Sequence, residues 1–147
     1  MTAYLLDTNV ISAFAPGRPA PSQELSAWLE EHSDRLFLSV ISVVEIEAGI
    51  KKLHRNGSVA RAEALAAWID RLLENYSERI LAFDLPAGRI AGAIIDQTRA
   101  IGANPGFADA AIAATARYHD LLLLTANARH FQSTGANYAN PFETLPL

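Results

Sequence analysis

The feature that most constrains this chain is a regular alternation. Short apolar runs of strand length, Ala3 to Leu6, Leu36 to Val40, Ile80 to Phe83 and Leu121 to Leu124, are separated by longer segments with helical patterning. Between Ser58 and Ser77 the apolar residues Ala62, Leu65, Ala66, Ile69, Leu72, Leu73 and Tyr76 recur at i, i+3, i+4 and i+7. Strands that alternate with helices predict a parallel sheet with helices on both faces.

The remaining helices carry their own start and stop signals. One is expected from about Asn9. A second starts after Pro21, with Ser22 as N-cap and Leu25, Trp28 and Leu29 facing inward. Ser42-Val43-Val44-Glu45 has the form of a capping box, which predicts a helix from there to about His54, stopped by Asn56-Gly57. Pro86 suits the first turn of a helix ending near Gly102. Phe107 to His119 is apolar on nearly all sides, so a buried helix is expected. A helical turn at Arg129 and an edge strand near Tyr138 complete the reading. With no repeat and no linker-length Pro-rich segment, a single domain over residues 1–147 is expected.

In parallel sheets of this kind, ligands bind outside the carboxyl ends of the strands. Functional residues are therefore expected just after Leu6, Val40, Phe83 and Leu124. Asp7 follows the first run directly and serves either a turn within Asp7-Thr8-Asn9 or a ligand. Glu45 is either the partner acid of the Ser42 box or a ligand, with open space beside it at Gly49. Glu47, four residues before Lys51, fits an exposed ion pair. Asp109 is the only acid between Phe107 and His119. A carboxylate there needs the helix N-terminus, a partner, a proton or a metal. Asn127 offers a turn or a neutral carbonyl oxygen. Oxygen-only ligands select Mg²⁺ or Mn²⁺ over zinc.

Composition closes off several other chemistries. The chain has no cysteine, which excludes disulfides, thiol catalysis and Cys-based zinc sites. The start, MTAYLLDTNV, lacks the basic and long apolar stretches of a signal peptide, so a cytoplasmic location is expected. A net charge of −4 argues against nucleic acid as a partner on bulk charge alone. Bound cations and local basic residues, such as Lys51, Lys52, His54 and Arg55, would have to answer that objection.

Five segments together resemble the PIN-domain family, and most closely its VapC/FitB-type toxins. They are LLDTNVIS (Leu5 to Ser12), LFLSVISVVEIEAGI (Leu36 to Ile50), DAAIAATA (Asp109 to Ala116), LLLLTANARHF (Leu121 to Phe131) and NPFE (Asn140 to Glu143). The resemblance implies a three-layer α/β/α sandwich with a mainly parallel sheet of four to five strands. It implies an endoribonuclease that uses Mg²⁺ or Mn²⁺, with Asp7, Glu45 and Asp109 as metal-binding catalytic residues. Thr8, Asn9, Thr125 and Asn127 would support them. It also implies a homodimer and inhibition by a cognate antitoxin. Many relatives carry a fourth acid where this chain has Asn127, and some a further acid where it has His130, which favours one metal ion over two. Two other classes fit less well. A HAD-like phosphohydrolase would need an acid at Asn9. A receiver-like module could use Asp84 but lacks the paired acids expected after the first strand. A PIN fold that binds without cleaving is the remaining alternative.

Overall fold

The computed structural model describes residues 1–146. Its strands are β1 (Tyr4–Leu6), β2 (Leu36–Ser39), β3 (Ile80–Leu81), β4 (Leu122–Leu124) and β5 (Tyr138–Ala139), in the order β3-β2-β1-β4-β5 and parallel throughout. The helices are α1 (Thr8–Ser12), α2 (Gln23–Glu31), α3 (Val40–Arg55), α4 (Val59–Asn75), α5 (Leu85–Ala100) and α6 (Phe107–Tyr118). Short 3₁₀ turns precede β2 and β3, and another spans Ala128–Phe131.

Side chains alternate across the central strand, and that alternation divides the core. Tyr4 and Leu6 join Leu36, Leu38, Trp28, Ile46 and Ile69 on one face. Leu5 joins Leu123, Ile94, Ile112 and the alanines of α6 on the other. Every residue from Ala110 to Ala116 is buried, as the apolar pattern predicts. The order 3-2-1-4-5 makes β1 central and puts β2 and β4 on either side of it, so their carboxyl ends form one contiguous edge.

Local signals account for most boundaries. Ser22 caps α2, its hydroxyl accepting from Leu25 N–H at 3.2 Å. Asp84 caps α5, accepting from Ala87 N–H at 3.3 Å, which gives that acid a structural task. Gly57, at φ +92°, takes the left-handed conformation that closes the α3–α4 turn.

The capping box is a correction. Helix α3 starts at Val40, and its N-cap is Ser39, whose hydroxyl accepts from Ile41 N–H at 3.0 Å. Ser42 is therefore the third residue of the helix and Glu45 the sixth, so they cannot pair as N-cap and third-position partner. Two serines three residues apart both precede an apolar run, and the earlier one starts the helix because β2 ends there. Glu47 is a second correction. It is half-buried, and among the described residues it forms no ion pair with Lys51.

Candidate active site

Asp7 leaves β1 with its backbone already committed. Its N–H donates to Leu124 O at 2.9 Å, and its carbonyl accepts from Val10 and Ile11 at the start of α1. Its side chain is 4 % exposed and carries three hydrogen bonds. Oδ1 accepts from Thr8 N–H at 2.8 Å, and Oδ2 accepts from Thr125 Oγ1 at 2.8 Å and Asn9 Nδ2 at 3.1 Å. Asn9 Oδ1 accepts in turn from Ala126 N–H at 3.0 Å, so this one amide ties the end of β1 to the end of β4.

Glu45 reaches the same edge from α3. Thr8 Oγ1 donates to Glu45 Oε1 at 2.6 Å and lies 2.8 Å from Ser42 Oγ. A hydroxyl has one proton. A carboxylate can only accept it, which leaves Ser42 to donate to Thr8. Asp109 comes from the first turn of α6, and its Oδ2 lies 3.2 Å from His130 Nδ1. Helices on both faces of the sheet thus deliver acids to the edge where β1 contributes its own.

The three carboxylates feel one another. Burial pushes the Asp7 carboxyl above its ordinary value, and the charge of Glu45 raises it further. The bonds from Thr125, Thr8 and Asn9 pull the other way without cancelling the rise. Asp109 is also raised, first by burial and then by the charge of Asp7, with His130 as the main opposing influence. Costly negative charge on buried carboxyls, with no Lys or Arg paired to them among the described residues, is the environment a cation relieves. The donors are all oxygens, which suits a hard divalent ion. Among the described residues, no three acidic or histidine side chains are yet drawn around one point closely enough to hold a metal. Binding would require the exposed Glu45 and the half-buried Asp109 to swing toward the fixed Asp7.

The model for the PIN domain matches residues 4–137. This chain belongs to the PIN domain family. It is 34 % identical over 140 residues to the toxin FitB of Neisseria gonorrhoeae, covering 94 % of this chain and 97 % of that one. It is 33 % identical over 141 residues to the plasmid stability protein StbB of Pseudomonas syringae pv. tomato, with 95 % and 98 % covered. It is 31 % identical over 144 residues to the VapC ribonuclease Y4jK of Sinorhizobium fredii, with 95 % and 97 % covered. Among solved structures, the FitAcB complex of Neisseria gonorrhoeae matches with a TM-score of 0.80 at 34 % identity, covering 95 % of this chain and 98 % of that chain. DNA-bound VapBC from Salmonella typhimurium matches in fold, with a TM-score of 0.80 at 22 % identity over 95 % of this chain and 98 % of that chain.

Within this PIN domain, the residues expected from sequence do not all meet. Asp7, Thr8, Asn9 and Thr125 form one hydrogen-bonded unit, and Glu45 joins it through Thr8. Asp109 joins electrostatically. Asn127 stands apart: it is exposed, and only its backbone takes part, donating to Thr125 Oγ1 at 2.9 Å and accepting from His130 N–H at 2.9 Å. Two pairings went unforeseen. His130 pairs with Asp109, and Ser42 meets Thr8 across 34 positions of sequence. A turn motif or cap signal points only to neighbours in the chain, so neither pairing left a local trace.

Proposed function

We propose that this protein is the toxin of a type II toxin–antitoxin pair, a Mg²⁺- or Mn²⁺-dependent endoribonuclease acting in the cytoplasm. One observation carries the reading: three carboxylates from separate elements approach one sheet edge, and burial with mutual repulsion raises two of them. Such a group is poor in counter-charge until a divalent cation arrives. When bound, that ion would supply Lewis-acid stabilisation of a phosphodiester and acidify an attacking water.

The chain's own residues have distinct tasks. Asp7, Glu45 and Asp109 would hold the ion. Thr125, Asn9 and the Thr8 N–H orient Asp7 so that rotation of its carboxylate is resisted from three directions. Thr8 Oγ1 steadies Glu45. His130 balances Asp109 until the ion replaces it. Asn127 adds no fourth negative charge, which favours a single ion.

Partners follow from the same reading. The solved relatives include FitA–FitB and VapB–VapC complexes, which supports a cognate antitoxin as inhibitor. An apolar groove of about 300 Å³ between α2 and α4, lined by Phe14, Leu29, Trp68 and Leu72, suits a helix from such a partner. Val44, Leu85 and Phe107, exposed at the starts of α3, α5 and α6, support a homodimer.

The test uses purified protein and mixed cellular RNA with Mg²⁺, with Mn²⁺ and with EDTA. Cleavage should require the metal, and Asp7→Asn or Asp109→Asn should reduce it at least ~100-fold. Intact RNA in every condition would support a non-cleaving PIN binding module, the reading that Asn127 keeps in view. Phosphate release from small esters without RNA cleavage would support the phosphohydrolase.

A further inference from the structure

A cleft of about 190 Å³ opens directly beside the acid site. One end is walled by Thr8 and Glu45, and Arg18 and Arg61 line it from the segment after α1 and from α4. Arg35, Arg79 and Arg117 each donate to a backbone carbonyl and are used structurally. Among the described residues Arg18 and Arg61 make no such bond, and neither pairs with a carboxylate. Both are exposed, so their guanidinium groups are free to take a ligand from outside.

The floor carries a second signal. Gly49 lines the cleft from within α3, where glycine is unfavourable because it costs conformational entropy. Packing does not call for it, since a Cβ at that position would meet nothing within 4 Å. The missing side chain leaves open space in the cleft that the two arginines and Glu45 also line.

We infer that Arg18 and Arg61 form a second phosphate subsite for RNA, gripping a phosphate that flanks the one presented to Asp7, Glu45 and Asp109, with Gly49 leaving room for the attached nucleoside. This rests on the ribonuclease reading and deepens it. Guanidinium groups bind phosphate in bidentate geometry. A single-stranded chain threaded from the acids into this cleft meets positive charge where it leaves the negative site. The subsite also answers the objection raised by the net charge of −4, because the positive charge needed is local.

The test measures binding without turnover. A fluorescein-labelled single-stranded RNA of roughly ten nucleotides is titrated by anisotropy in EDTA at several salt concentrations. Arg18→Ala and Arg61→Ala should each weaken binding by about 3- to 10-fold and flatten the salt dependence by about 0.7 in slope for each arginine removed. Gly49→Leu, which fills the cleft while favouring the helix, should weaken binding too. Arg71→Ala, an exposed arginine of α4 outside the cleft, controls for net charge and should bind as wild type. If wild type binds and cleaves RNA but the cleft variants match Arg71→Ala, the subsite is wrong and the nuclease reading stands. If Arg71→Ala weakens binding equally, the effect is diffuse charge and the subsite is again wrong. If the cleft variants lose poly-glutamate but keep RNA, the cleft serves an acidic protein segment, which also overturns it. Wild type that neither binds nor cuts RNA removes both readings together.

Discussion

The two faces of the sheet are packed in opposite ways. On one, α6 lays Ala110, Ala113, Ala114 and Ala116 against Leu5, Leu123 and Ile94. Small side chains let a helix approach the sheet closely and leave little rotamer freedom to lose. On the other, the core is made of large groups: Tyr4 meets Trp28 edge-on at 4.9 Å, and Trp28 stacks on His32 at 4.2 Å. Two clefts open on this side: one of about 190 Å³ that touches the site at Thr8 and Glu45, and one of about 300 Å³ between α2 and α4. The contrast suggests a division of labour. The alanine face fixes the position of Asp109, and the bulky face provides surfaces for ligands.

The largest expected effect probes the bulky face. Ile69 is 1 % exposed, and Ile69→Ala should cost about 2–5 kcal/mol in chemical denaturation. Cleavage per folded molecule should stay near wild type, because no acid of the site hangs from that residue. The alanine face should behave differently. Ala113→Leu forces extra volume into a fully buried position and should cost about 1–3 kcal/mol. It should also lower cleavage per folded molecule, since α6 carries Asp109. If Ala113→Leu leaves that activity intact while Ile69→Ala destroys it, the division between the faces is wrong.

A smaller effect separates the two serines at the head of α3. Ser39→Ala should cost about 1 kcal/mol through removal of the cap, and Ser42→Ala less. The opposite ranking would mean that the part-buried Ser42–Thr8 hydrogen bond outweighs the cap. This pair shows what was legible in the sequence and what was not. Ser22, Gly57 and the alanine run of α6 announce their roles through rules spanning a few residues, so the helices and the α/β class could be read directly. Asp7 could be named because it follows a strand directly, Asp109 because it is the lone acid of an apolar helix, and Glu45 because it falls in a segment that resembles the family. The pairings of His130 with Asp109 and Ser42 with Thr8 depend on how α3, α6 and the β4–β5 connection pack, which no short pattern encodes. For Glu45 the capping spacing offered a rival role, one that fits its sequence but not its helix.

The smallest effect is a trend with pH. A carboxyl raised by burial binds its proton more tightly in the folded state than in the unfolded one. Native Asp7 therefore holds more proton than the unfolded chain just above the ordinary value of 3.8, and its contribution to stability falls as pH rises through that window. Thermal unfolding in EDTA should show Asp7→Asn gaining on wild type as the pH rises above the ordinary value of 3.8. A gap between the two that does not change with pH would mean that Asp7 is not held above its usual range.

The central claim is that Asp7, Glu45 and Asp109 share one divalent cation. Calorimetric titration of the purified protein with Mn²⁺ tests it without reference to RNA. The account predicts a single site that each of Asp7→Asn, Glu45→Gln and Asp109→Asn weakens by at least ~10-fold. Wild-type affinity in all three folded variants, or no Mn²⁺ binding by the wild type, would contradict it.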